Sequence, residues 1–417
     1  MALSVLLVFL YLFAFPIANI RYIDSTVVCF FVLLIVFCFN AKLRKEFLSI
    51  VCSKYMAWIT VAWTVIVVYS VFIPSVKRTY DFSIIKTFVH QFFALVAGGL
   101  LLAFLRVKRH KIFDVIILAF VAQSILQILS LAISPLREIT NIFRSPTAID
   151  IQHRYSGIRG LAISGYAVFG LAVAYGLMFI VWALEWRNAL TKFNIYVKML
   201  FGLILVVGAA SAGRTGLVGF GIAVVIRLIL VVFVEKPAKK EVLPVIDFCA
   251  VTIGIVAILS QIKSFPALNN LFNYVNEFFN NFINGNGFGS SSTDKLWKMY
   301  FHIGADTLFF GDGFYTASDG AYYMNTDAGY MRNILFFGVV GFVLLFVYQL
   351  LFFDLKNKKR RVKDSIYLLF ILLMHVKGEV LGFLIITQSM LFMINFSYGE
   401  KYAEADSVML NGKLQHK

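Results

Sequence analysis

Apolar residues run through this chain in long unbroken blocks rather than at the alternating spacing of a surface strand. A bilayer-crossing α-helix needs about 17–25 such residues. Twelve blocks approach or reach that length: 2–20, 24–40, 56–74, 84–105, 112–134, 162–183, 194–211, 214–234, 243–262, 332–353, 365–376 and 379–396. The last two are short and meet at Lys377, Gly378 and Glu379, so they form either two spans or a re-entrant hairpin. The run from Ala2 to Ile20 lacks a basic leader and a small-residue cleavage site, and therefore reads as a retained first span rather than a signal peptide. The pattern predicts an all-α polytopic membrane protein of about twelve transmembrane helices, forming a single integral membrane domain over residues 1–417.

The long polar interruption is 264–331. It holds seventeen aromatic residues, nine Asn and six acidic residues against two Lys and no Arg. Leu268, Leu271, Phe272, Val275, Phe278, Phe279 and Phe282 recur at three- and four-residue spacing with Asn between them, which predicts an amphipathic helix lying on the membrane. Gly285, Gly287 and Gly289 with Ser290 to Ser292 predict a break. Ser291 and Asp294 resemble a capping box opening a second helix through about Ala305. A Tyr-rich irregular segment follows Gly311-Asp-Gly313. Such a surface suits carbohydrate, because aromatic faces pack on sugar rings while Asn and Asp bond hydroxyls. The plainer reading is an aromatic belt at the membrane interface.

Composition agrees with the block pattern: 60% of residues are hydrophobic and only 14% charged, outside the range of soluble domains. The net charge of +16 lies in short clusters between blocks, so it orients the protein and calls for no nucleic acid. Alternate connections carry Lys42, Arg44, Lys45 and Lys54; Arg106, Lys108, Arg109 and Lys111; Arg187 and Lys192; Lys236, Lys239 and Lys240; and Lys356 to Lys363. Those connections are expected in the cytoplasm, together with both termini, leaving 135–161 and 264–331 as external loops. Cys29, Cys38, Cys52 and Cys249 have no metal or disulfide spacing and read as small core residues.

Against this bias, the external side still carries Arg137, Arg144, Arg154 and Arg159, and Arg214 sits in the tight turn Ser211-Ala-Gly-Arg-Thr-Gly216. An Arg held between two apolar runs needs a partner. Phosphate is the natural one, since the guanidinium fork matches two of its oxygens. The plainer readings are that Arg214 pairs with Asp327 or Glu379, that Arg159 is an ordinary loop residue, that Arg137 and Arg144 are solvated, and that Arg227 is paired or snorkels. Arg332 opens a helix, where the dipole disfavours a cation, so an anion should lie beside it. Asp327 stands where a helix N-cap belongs and equally where a general base could work. His153 and His302 are external and could act as bases. His90 and His375 lie in spans, as interhelical hydrogen bonders. The chain has no P-loop, dinucleotide fingerprint or metal-ligand cluster, and no metal or cofactor is expected.

The order of these features resembles the bacterial O-antigen and exopolysaccharide repeat-unit polymerases of the Wzy type. The likeness rests on the external loop ending Arg159-Gly-Leu-Ala-Ile-Ser-Gly165, the turn at Arg214, and the passage Phe309-Phe-Gly-Asp-Gly-Phe314, Thr326-Asp-Ala-Gly-Tyr-Met-Arg332 and Phe337-Gly-Val-Val-Gly-Phe342. The topology is covered throughout, the motifs over about a sixth of the chain.

The resemblance implies a metal-independent membrane glycosyltransferase of C-type architecture. It would work outside the bacterial inner membrane on undecaprenyl-diphosphate-linked oligosaccharide, moving the growing glycan onto the next lipid-linked unit. The bilayer is then one partner, and a chain-length regulator could be another. Arg154, Arg159, Arg214 and Arg332 would neutralise the departing diphosphate, with Tyr330 beside them. Asp327 is the first choice of base, with His153, His302 and Glu379 behind it. O-antigen ligases are the nearest alternative, but their external loop centres on a His motif, where this chain has only His302 in Tyr300-Phe-His-Ile-Gly304. A lipid-linked oligosaccharide flippase should have short loops on both sides, and a sensor or scaffold leaves the external Arg residues unexplained.

Overall fold

The computed structural model describes residues 1–17, 23–154, 159–166, 168–234, 250, 291–317 and 320–397. It is helical throughout, with no strand among the described residues beyond two isolated bridges. The helices are α1 Ala2–Phe13, α2 Ser25–Phe39, α3 Ala41–Val51, α4 Lys54–Val76, α5 Ile85–Val107, α6 Ile112–Ala132, α7 Ser134–Asn141, α8 Pro146–Arg154, α9 Val168–Leu184, α10 Ile195–Ala212 and α11 Arg214–Ile229. A π-helical turn, Leu230–Val234, extends α11. Then come α12 Ser291–Lys298, α13 Ala305–Phe310, α14 Gly329–Leu350, α15 Lys358–His375 and α16 Ile385–Ser397.

Every apolar block that falls on described residues corresponds to a helix, but not every helix is a full span. Six are long and apolar enough to cross a bilayer: α4, α5, α6, α10, α11 with its π turn, and α14. Counting α2 and α3 as one broken span gives up to seven, although they bend by 119°. The helices α1, α9 and α16 are apolar but shorter, and α15 carries four Lys/Arg in its first turn. About twelve spans were expected; six to seven are present among the described residues in a multi-pass, membrane-embedded protein. The block 243–262 and the amphipathic helix 268–282 lie outside the described residues.

Local chemistry explains the main boundaries. The Asp24 carboxylate caps α2 by accepting the N–H groups of Thr26 and Val27, and Asn40 caps α3 in the same way. The predicted second external helix splits into α12 and α13 rather than running to Ala305. The loop 135–161 is largely helical, as α7 and α8. On α4, Trp58, Val61, Val65, Val68 and Phe72 form an exposed apolar stripe, which suits a lipid-facing surface.

The core is centred on α9, whose residues from Leu171 to Ala183 are all buried. Small residues let its neighbours approach closely: a Cβ at Gly219 of α11 would fall on the Gly176 backbone of α9, and Gly216 lies against Ala172 and Ala209. Such packing fixes the start of α11, where Arg214 sits. At the opposite, basic end, Lys363 pairs with Glu185, and Arg360 bonds Asp364 and Asn395. Cys29 is buried as expected, but Cys38 and Cys52 are exposed, because each lies where a helix meets the surface. His90 is also exposed rather than interhelical.

Candidate functional site

Away from the basic end, five connections converge, those that follow α4, α8, α10, α13 and α15. The α4–α5 connection binds the segment after α13: Asp81 accepts the N–H groups of Tyr315 and Thr316 at 2.7 and 2.8 Å, Thr79 donates to the Gly313 carbonyl, and Lys77 pairs with Asp306. Partial burial works against the Asp81 charge. Hydrogen bonds from Ser83 and from the Thr316, Ser83 and Tyr315 backbone outweigh it and hold the carboxyl below its usual value. The same segment docks into α14, which is broken at Gly338, with φ 66°. The break frees the carbonyls of Leu335 and Phe336, which accept from Asp312 and Gly313. A side chain at Gly338 would strike the Phe309 carbonyl, so glycine is required by backbone conformation and by space. Thus Phe309–Phe314 and Phe337–Phe342, distant in sequence, interlock.

The α15–α16 connection, 376–384, folds back into the bundle. Gln91 donates to the Gly382 carbonyl, and Gln349 accepts from Gly382 N–H and Gln388. Nδ1 of buried His375 accepts from Val380 and Leu381 N–H, leaving its Nε2 facing the Asn333 amide at 3.0 Å. His375 is therefore the interhelical bonder expected, and it holds the connection that presents Lys377 and Glu379.

Glu379 meets Arg332 at 2.9 Å and accepts the Tyr315 hydroxyl at 2.6 Å. The Arg332 guanidinium lies 4.1 Å from the Tyr315 ring centre and 3.8 Å from that of Tyr322. The anion expected beside Arg332 is thus Glu379, and two aromatic faces complete its enclosure. Burial first, then Glu379, pushes the Tyr315 phenol well up, so it stays protonated and donates.

One turn of chain away lies a second cationic group. Lys377 donates to Thr215 Oγ at 3.3 Å, and the Arg159 guanidinium packs against Gly213, beside Arg214. Burial, then Arg214 and Arg159, lowers the Lys377 ammonium, with Asp327 opposing. Arg159, Arg214 and Lys377 therefore share one location, together with the N-terminus of α11. Asp327 borders both groups. Its carboxyl is raised by desolvation, with Arg332 and Lys377 acting in the opposite direction. It is exposed and does not cap α14: the N-cap is Ala328, without a side-chain bond.

The remaining predicted residues divide. Tyr330 donates to the Leu372 carbonyl and packs on His375, so it braces the helices. His153, Arg154 and His302 are exposed, and among the described residues none bonds to the cluster. Arg144 is not a solvated charge. It is 1% exposed and bonds Asn141, Gln152, Thr140 and the Leu161 carbonyl, organising the loop that carries Arg159. Arg137 is partly exposed, bonded to Ser134. Sequence reasoning passed over Lys377, Tyr315 and Tyr322. Lys377 carried a readable signal, a cation between two apolar runs on the side expected to be external, while the tyrosines were indistinguishable within a Tyr-rich stretch. Among the described residues no cluster of His, Cys, Asp or Glu could hold a metal.

No protein-family model, curated protein or solved structure matches this chain.

Proposed function

We propose that this protein is a membrane glycosyltransferase that polymerises undecaprenyl-diphosphate-linked oligosaccharide units on the external face of a bacterial inner membrane. The observation that carries the reading is the gathering of Arg159, Arg214 and Lys377 at the α11 N-terminus, beneath an aromatic and polar loop. Three cations at one membrane-adjacent place, with the single carboxylate of Asp327 at their border, concentrate positive charge that suits an anionic ligand. A helix N-terminus adds its own partial positive charge. A lipid diphosphate supplies that anion and is also a competent leaving group.

In the proposed reaction an acceptor sugar hydroxyl attacks the anomeric carbon of the donor glycan. The new glycosidic bond forms as the bond between that carbon and the diphosphate oxygen breaks. Both electrons of the broken bond leave with the diphosphate, and Arg159, Arg214 and Lys377 neutralise the charge that develops there. The hydroxyl proton passes to the Asp327 carboxylate, whose raised pKa makes it a stronger base than an ordinary aspartate. Glu379 is engaged by Arg332 and Tyr315 and so positions the loop rather than taking the proton.

The test is the fate of glycan in a strain lacking the protein. The polymerase reading expects single repeat units on the cell surface. Complete polymer stranded on carrier lipid would instead identify a ligase, and absence of any external glycan a flippase; either result overturns the proposal.

A further inference from the structure

At the end of the molecule opposite the candidate site, α9, α10 and α11 enclose a groove lined by Trp182, Trp186, Lys198, Phe220, Val224 and Arg227. We propose that this groove binds an anionic glycerophospholipid, with its phosphate between Lys198 and Arg227 and an acyl chain along the apolar wall. The inference is independent of the glycosyltransferase reading.

Depth, charge and shape agree on this occupant. Lys198 lies in the first turn of α10 and Arg227 in the last turn of α11, on the side that carries Arg187 and Lys192. That level is where phospholipid phosphates meet a membrane protein, and its tryptophans fit the interfacial belt. Both cations face the same ring: Lys198 Nζ is 5.3 Å and the Arg227 guanidinium 5.9 Å from the centre of Trp186. Among the charges around it, Lys198 feels the Asp114 carboxylate first, then the cations Arg227 and Lys111. The acids nearby are already engaged: Asp114 accepts Leu190 N–H at 2.7 Å, and Glu185 holds Lys363 and Asn188. Lys111, Lys198 and Arg227 outnumber Asp114, which stays charged while accepting Leu190 N–H, and an apolar crevice adjoins them. Two charges over a lipid-sized apolar wall complement a phosphate with acyl chains. Basic pockets between helices on the cytoplasmic side take anionic headgroups by the same physics.

Native mass spectrometry of the full-length protein in mild detergent tests this with phosphatidylglycerol and phosphatidylcholine of identical chains. The wild type should retain phosphatidylglycerol roughly tenfold more strongly, given the attraction expected of two basic residues. Lys198→Gln with Arg227→Gln should erase the preference. Val224→Trp, which fills the groove and keeps both cations, should lose phosphatidylglycerol as well, and it decides the matter if the double variant fails to fold. Equal retention of the two lipids by the wild type would overturn the proposal, as would a preference surviving either variant.

Discussion

At the scale of single residues, what decides a role is whether a charge is enclosed, shared or exposed. Arg332 is enclosed, 7% exposed between two tyrosine rings and Glu379. Removing one partner of a buried pair leaves the other unpaired, at a cost of about 3–5 kcal/mol. Glu379→Gln should therefore lower the melting temperature of the purified protein markedly, whereas an unchanged melting curve would show the pair to be dispensable. Asp327 is the opposite case. It caps nothing, so Asp327→Asn should leave melting unchanged and abolish polymer. In the wild type the rate should fall on acidification through a pKa above the ordinary aspartate value, because the raised carboxyl loses its basic form there. A rate that keeps its acid limb in Asp327→Asn would remove Asp327 from proton transfer. Arg214→Lys should recover only part of the activity lost in Arg214→Ala, since a point charge cannot match two phosphate oxygens at once.

At the scale of elements, the sequence announced helices well and their breaks poorly. Apolar blocks located α4, α5, α6, α10 and α11 closely, because a bilayer-length run of apolar residues has few alternative structures. The break at Gly338 was not legible, since a glycine inside an apolar run looks like any small packing residue until the loop that bonds the freed carbonyls is seen. The same holds for 376–384, whose polar clamp uses Gln91, Gln349 and Gln388 from three separate helices. Of the candidate site, Arg159, Arg214, Asp327, Arg332 and Glu379 were legible from charge in an apolar setting. Their division into a Glu379–Arg332 brace and a separate cationic cluster was not, because pairing is a property of three dimensions. Gly338→Ala forces a side chain into left-handed backbone and onto the Phe309 carbonyl. It should unseat Phe309–Phe314 and speed proteolysis there by an order of magnitude; an unchanged cleavage rate would mean that the interlock contributes little.

At the scale of the whole molecule, the two ends differ in kind. One carries most of the basic connections and ion pairs such as Lys363–Glu185. The other gathers the connections that follow α4, α8, α10, α13 and α15 around a small set of cations. If the basic end is cytoplasmic, a membrane-impermeant thiol reagent should label Asp306→Cys in intact spheroplasts and reach the exposed native Cys52 only after permeabilisation; the reverse pattern would invert the topology. The measurement that bears most directly on the cationic cluster uses purified protein and one lipid-diphosphate-linked repeat unit. Incubation should yield a ladder of lengthening lipid-linked glycans, slowed about 10²–10³-fold by Arg214→Ala and similarly reduced by Lys377→Gln. No ladder from the folded wild type, or an undiminished ladder from both variants, would contradict the claim that these cations receive a departing diphosphate.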